Sequence, residues 1–235
     1  MIEPAEMLVI EGSKVSSARY YELRENMFPE LAKADYREQV TVMGDALRET
    51  VRAQLVSDAP IGAFLSGGVD SATLCALMAK EAGQDICTYS VGFGEDLKGI
   101  DETEMSAAFA RHIGAKHERF EVDAEMIRNN LMNIVAGLDQ PSVDGLNTYF
   151  VSQIASRDVK VAISGTGADD LFMGYPWHAA MLRRGHAQSR FLEDYAVLAG
   201  TFHATFKANE VSQLLSDGLR NSAPCVTMDE YRSID

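Results

Sequence analysis

The residues best suited to chemistry fall in two glycine-containing stretches, one in the first third of the chain and one about a hundred residues later. The first is Phe64-Leu65-Ser66-Gly67-Gly68-Val69-Asp70-Ser71. It is entered through the apolar run Pro60-Ile61-Gly62-Ala63 and left through Leu74, Leu77 and Met78 at helical spacing. A strand, a glycine turn and a helix N-terminus in that order bind anions, because the backbone can approach closely and free N–H groups point outward. Ser66 and Ser71 add hydroxyl donors. Asp70 would repel a bound phosphate unless a divalent cation lies between them. No Gly-Lys-Ser/Thr follows, which excludes a Walker A loop. An ordinary strand–helix turn remains the alternative for Ser-Gly-Gly taken alone.

The second stretch is Ile163-Ser164-Gly165-Thr166-Gly167-Ala168-Asp169-Asp170-Leu171-Phe172-Met173-Gly174-Tyr175-Pro176. Gly165-x-Gly167 invites a dinucleotide reading, but Asp170 stands at the sixth position and cannot do the third glycine's packing. The better account is a second glycine turn facing the first across a sheet, with Asp169 brought toward Asp70. Two carboxylates so placed can hold Mg²⁺ against a triphosphate. The alternative is that the acids merely cap a helix starting at Ala168.

The elements that must position these turns alternate in type. Val40, Met43, Leu47, Val51 and Leu55 predict a helix over 36–57 with one apolar face. A strand over 60–65 and a helix reaching Ala82, ended by Gly83, follow. The run over 86–93, Ile-Cys-Thr-Tyr-Ser-Val-Gly-Phe, reads as a buried parallel strand. Then come a helix over 101–114, a strand from His117 to Val122, a helix from Ala124 to Leu138 capped by Asp123, a polar loop at 139–145, and a helix ending near Arg157. Val159 to Ser164 is a further strand. This alternation predicts an α/β fold with a doubly wound, mostly parallel sheet, its ligands at the carboxyl ends of the strands. The domain plan is 1–35 as a linker and partial strand segment (Met7–Ile10 the candidate strand), 36–185 as the main unit, and 186–235 as a helical extension.

Composition narrows the partners. A net charge of −14 and a pI near 4.7 argue against a nucleic-acid backbone. Cys75, Cys87 and Cys225 form no CxxC pair, which suits a reducing, cytoplasmic setting without structural zinc. No apolar run approaches the length of a membrane span, and no basic N-terminal signal is present, so no membrane partner is expected.

With both turns in view, Ser66-Gly67-Gly68-Val69-Asp70-Ser71 resembles the pyrophosphate loop of the ATP pyrophosphatases that adenylate a substrate. The two stretches together resemble the synthetase domain of the glutamine-dependent asparagine synthetase family, which includes the β-lactam synthetases. Several further segments are similar to that family: Tyr20-Tyr21-Glu22-Leu23 as a linker, Tyr89 to Phe93 as its second strand, Glu102-Met105-Ala108-Ala110 with Gly114 as the next helix, and Asp139 to Tyr149 as its acidic-Pro segment. The resemblance covers roughly residues 7–200. It implies an adenine nucleotide alpha hydrolase-like fold that binds ATP and Mg²⁺. It also implies roles: Ser66, Gly67, Gly68, Asp70 and Ser71 at the pyrophosphate end of ATP, Leu65 and Val91 on the nucleoside, and Ser164 and Gly165 lining the pocket. Asp70 and Asp169 would bind the metal, and Asp170 would lie near the acid. The implied reaction activates a carboxylate, aspartate or an analogue, as an acyl-adenylate for attack by ammonia; other acid–amine ligation and non-catalytic ATP binding are the alternatives.

Departures from the family pattern temper that expectation. Residue 2 is Ile rather than a catalytic Cys, so the expected ammonia source is a separate glutaminase domain or chain, or free ammonium. Thr166 and Asp170 stand where asparagine synthetases have Glu, and Met173 replaces a glycine. The family's later Lys and Arg-Val-Pro-Phe-Leu-Asp segment does not occur before Asp235, and Lys207 sits in a different context. The expectation is therefore an incomplete synthetase unit, weakly active or inactive alone. Phe191, Leu192, Tyr195, Leu198, Phe202 and Phe206 would need a homodimer or a complementing C-terminal chain. His112 and His117 are expected not to share a metal, Trp177-His178 to be a packed, hydrogen-bonded pair with a place bordering the substrate cavity as the alternative, and Arg183-Arg184 either to neutralise pyrophosphate or to be a solvated face.

Overall fold

A computed structural model describes residues 2–3, 5–22, 29–82, 85–94, 103–139, 142 and 145–184. The expected elements at Phe191–Phe206, together with Lys207 and Cys225, lie outside the described residues.

An antiparallel hairpin comes first, β1 (Glu6–Glu11) paired with β2 (Lys14–Arg19). Met7–Ile10 is where a strand was expected; β2 was not. Its sequence, Lys-Val-Ser-Ser-Ala-Arg, has no apolar alternation, and the usable signal is the two-residue Gly12-Ser13 turn, with Gly12 at φ 63°. Both strands stay largely exposed, Ile10 at 65% and Val15 at 60%.

α1 (Tyr36–Gln54) starts at Asp35, whose carboxylate accepts the Glu38 amide at 2.9 Å. The expected apolar stripe has helical spacing, but only its last turn reaches the core: Val51 is buried and Leu55 packs beside it, whereas Val40 and Met43 are exposed.

The body is a sheet of four parallel strands in the order β5-β4-β3-β6. These are β3 (Ile61–Phe64), β4 (Cys87–Gly92), β5 (Lys116–Glu121) and β6 (Val161–Ile163). α2 (Val69–Glu81) and α3 (Thr103–Ile113) cover one face together with α1. Leu65, Cys75, Met78, Ile86 and Ala110 form the buried centre there, each large side chain contributing ~2 kcal/mol by leaving water. Burial pushes the Cys75 thiol up to about 12, so it stays a neutral packing group. α4 (Ala124–Leu138) and α5 (Gly145–Ala155) cover the other face, against Tyr89, Val91 and Phe120. Asp123 accepts the Met126 amide at 2.7 Å and so caps α4 as expected. Two short helices complete the described part: α6 (Ala168–Phe172) and α7 (Pro176–Arg184).

This is the doubly wound parallel α/β architecture expected from the alternation. Strands β3, β4 and β5 run outward in one direction, and β6 returns to the other side of β3. The order therefore reverses between β3 and β6, which makes that junction the topological switch point where α/β sheets open a crevice. Both glycine turns begin there.

Among the described residues, no helix is long and apolar enough to cross a membrane.

Candidate functional site

The turn after β3 is closed by its own hydroxyls. The Ser66 amide donates to Ser71 Oγ at 3.2 Å, and the two hydroxyl oxygens lie 3.0 Å apart. Ser71 Oγ donates to the Gly68 carbonyl at 3.1 Å, and the Gly68 amide reaches Ser66 Oγ at 3.4 Å. Gly67 takes φ 90°, a left-handed turn that a side chain would strain. Gly68 is the N-cap of α2 and provides no side-chain cap, so the positive end of a 13-residue helix faces the crevice. Asp70 sits in that first turn, half-buried.

Leu65 is 1% exposed, with its side chain in the core and its amide donating to the Tyr89 carbonyl at 2.9 Å. A ligand contact through its backbone therefore falls to the carbonyl. Val91 is half-buried between two hydrophobic clusters and pairs with Phe120 in the sheet.

The turn after β6 lies directly against this loop. β3 and β6 pair in register, Ala63 with Ile163, so their carboxyl ends are level. A β-carbon added to Gly165 would stand 3.1 Å from the Ser71 amide nitrogen and 3.3 Å from the Asp70 carbonyl carbon. The two turns thus meet backbone to backbone. Ser164 is exposed, with its hydroxyl 2.8 Å from that of Thr166.

The acids of the second turn are held by the chain that follows them. The Asp169 carboxylate occupies the space beside the Gly174 α-carbon, and the Gly174 amide donates to the Asp169 carbonyl at 3.0 Å. The Tyr175 hydroxyl donates to Asp170 Oδ2 at 3.3 Å. Met173 ends α6 at φ 56°, a left-handed conformation that explains why a glycine would suit that position. Tyr175 stacks on Trp177 at 4.1 Å, and Trp177 and His178 are buried, the packed arrangement expected for this pair. Arg183 lies exposed on α7.

Carboxylates are hard oxygen donors of the kind Mg²⁺ takes when phosphate and water complete its shell. Among the described residues, no group of three or more His, Cys, Asp or Glu is placed to hold a metal. A cation between these turns would therefore lean on ligand oxygens, which the donor set fits.

His117 is engaged away from the crevice. Its Nδ1 lies 2.9 Å from Thr88 Oγ1 and its Nε2 3.1 Å from Ser90 Oγ. Because Thr88 Oγ1 also donates to the Lys116 carbonyl, we assign the ring proton to Nδ1. The sequence places His117 at the start of the expected strand to Val122 and gives it no metal shared with His112; its facing Thr88 and Ser90 across β4–β5 is the signal for a ring locked inside the sheet.

A parallel sheet with two abutting glycine turns at its switch point is an α/β architecture whose candidate crevice lies at the carboxyl edge. The chain belongs to the asparagine synthase family, whose model matches residues 43–234. It is 38% identical over 133 residues to asparagine synthetase (glutamine-hydrolysing) 1 of Bacillus subtilis, which covers 56% of this chain and 21% of the relative. It is 37% identical over 145 residues to a putative asparagine synthetase (glutamine-hydrolysing) of Mycobacterium tuberculosis, covering 61% of this chain and 21% of the relative. The chain thus spans about a fifth of the length of these relatives. Among solved structures, an NH3-dependent NAD synthetase from Campylobacter jejuni superposes with a TM-score of 0.39 at 15% identity, over 60% of this chain and 61% of that one.

Proposed function

We propose that this chain, within the unit at 36–185, binds Mg-ATP across the crevice between β3 and β6 and uses it to turn a carboxylate into an amide. The observation that carries this reading is the contact of Gly165 with Ser71 and Asp70 at the switch point. It supports this reading because the N-terminus of α2, without a side-chain cap, lies beside a second, carboxylate-bearing turn. The chain's membership of the asparagine synthase family supplies the reaction class.

In this reading the loop of Ser66, Gly67, Gly68 and Ser71 takes the pyrophosphate end of ATP, and Leu65 and Val91 border the nucleoside. Ser164 and Gly165 line the pocket, Asp70 and Asp169 hold Mg²⁺, and Asp170 faces the acid. Bound there, Mg²⁺ would supply positive charge against the triphosphate. A carboxylate is a poor electrophile, because displacing hydroxide or oxide from it is unfavourable. Attack by the acid's carboxylate oxygen on the α-phosphorus expels pyrophosphate and leaves an acyl-adenylate. Ammonia then attacks the acyl carbon, AMP departs with the bonding electron pair, and the nitrogen loses a proton to give the amide. The α2 N-terminus acts throughout as a preorganised positive end, an arrangement that needs no reorganisation as charge develops. Aspartate is the acid most in keeping with the named relatives, and because those relatives are named as glutamine-hydrolysing, ammonia from a glutaminase unit fits this reading.

Two measurements test this. Calorimetry should show ATP binding that strengthens with Mg²⁺, and Asp70→Asn should remove most of that gain, about tenfold in affinity. Aspartate-dependent exchange between ATP and pyrophosphate should separate catalysis from mere binding. Equal affinity with and without Mg²⁺ in both proteins would reject the metal role. No exchange with any acid offered would fit either an ATP-binding module or the inactive, incomplete unit expected from the sequence, and supplying the family's later Lys-bearing segment in trans separates the two.

A second reading, a different acid, is favoured by Thr166. Its hydroxyl is tied to Ser164 where asparagine synthetases carry a carboxylate. The same exchange assay run over other carboxylic acids distinguishes the two.

A further inference from the structure

We infer that Gly174 is a positioning residue whose missing side chain makes the room in which the Asp169 carboxylate is held. This deepens the metal-binding reading above and rests on it for its functional consequence, though not for the contact itself.

Asp169 and Asp170 follow one another in the first turn of α6, so their side chains leave the helix in different directions. Each meets a different residue of the segment that follows α6. A β-carbon on Gly174 would overlap Asp169 Oδ1 and lie 3.0 Å from Cγ and 3.3 Å from Cα. The carboxylate therefore occupies the volume any other residue's side chain would take. The Gly174 amide fixes the same junction by donating to the Asp169 carbonyl at 3.0 Å. Asp170 meets Tyr175, whose ring is itself fixed by stacking at 4.1 Å and 12° on Trp177, a residue 3% exposed. The packed start of α7 thus anchors Tyr175, and the backbone entering it sets Gly174 against Asp169. A flexible carboxylate on a short exposed helix would otherwise sample several rotamers, and holding it in one lowers the ordering cost when a ligand arrives.

Gly174→Ala should expel the Asp169 carboxylate from that space. Its effect must then depend on whether the carboxylate is there, and this separates positioning from a general backbone role. Four proteins are compared in thermal unfolding: the wild type, Gly174→Ala, Asp169→Ala and the double variant. The expected result is a clear drop in Tm for Gly174→Ala in the wild-type background and less than half that drop in the Asp169→Ala background. Equal drops overturn the contact. If Gly174→Ala alone does not fold, recovery of a folded double variant supports the inference and failure to recover overturns it.

The second arm is calorimetry of the full chain with ATP, in Mg²⁺ and in EDTA. Gly174→Ala and Asp169→Asn should each lower Mg-ATP affinity by about tenfold, cause no loss of affinity in EDTA, where the carboxylate only repels the triphosphate, and together do no more than either alone. Losses that multiply in the double variant overturn the positioning role. Wild-type chain that binds no Mg-ATP would reject the proposed function, while the unfolding comparison would still decide the contact.

Discussion

Gly165 stands so close to Ser71 that a β-carbon on it would lie 3.1 Å from the Ser71 amide nitrogen, although the two residues belong to turns that follow different strands. The contact is made of main chain, and main chain cannot rotate out of the way. It links the two halves of the proposed crevice, and the first prediction concerns it. Gly165→Ala should push the turns apart by a few tenths of an ångström, weakening Mg-ATP binding by about tenfold, or ~1.4 kcal/mol. The fold should survive, because β3 and β6 remain paired below the turn. Calorimetry alongside far-UV circular dichroism checks this; unchanged affinity would show that the spacing of the turns does not matter to the nucleotide.

Ser71 ties the first loop from inside. Its hydroxyl accepts from the Ser66 amide and donates to the Gly68 carbonyl, and it is 6% exposed. Ser71→Ala should leave the Ser66 amide without its partner and cost about 1–2 kcal/mol in urea unfolding. A cost near zero would show that solvent or the neighbouring Ser66 hydroxyl takes over the bond.

The His117 ring, held between Thr88 and Ser90, has its pKa lowered from 6.5, first by burial and then by the Arg111 and Arg119 guanidinium groups. The unfolded chain therefore takes up a proton at a higher pH than the folded one. Stability is fully present above pH 6.5 and is lost as pH falls from there through the lower folded value. Urea midpoints measured between pH 5 and pH 7.5 should fall on the acid side for wild type, and less steeply for His117→Gln. Parallel profiles for the two proteins would assign the acid loss to other groups.

Met173 takes φ 56° at the end of α6, a conformation that costs a residue with a side chain about 1 kcal/mol. Met173→Gly relieves that strain while adding freedom to the unfolded chain. The net expectation is a gain of up to about 1 kcal/mol in unfolding free energy. A loss of stability would mean that the half-exposed Met173 side chain contributes packing that outweighs the strain.

The features legible in the chain of letters are local ones. The Asp123 cap on α4 is a bond to an amide three residues on, and the Ser66–Ser71 loop closes within six residues, so neighbouring letters suffice to specify both. The apolar run at 86–93 and the glycine turns are equally short-range, which is why the strand–helix alternation and the doubly wound class were legible. Tertiary structure alone decided the rest. Whether Val40 and Met43 are buried depends on what packs against that end of α1, which no helical period encodes. The β5-β4-β3-β6 order places the turns side by side, and it follows from how helices divide between two faces of the sheet. The setting of Asp169 against Gly174 was hidden in a motif read only for its acids. A glycine's role there is the volume it leaves empty, and sequence shows the residue without showing what fills that volume.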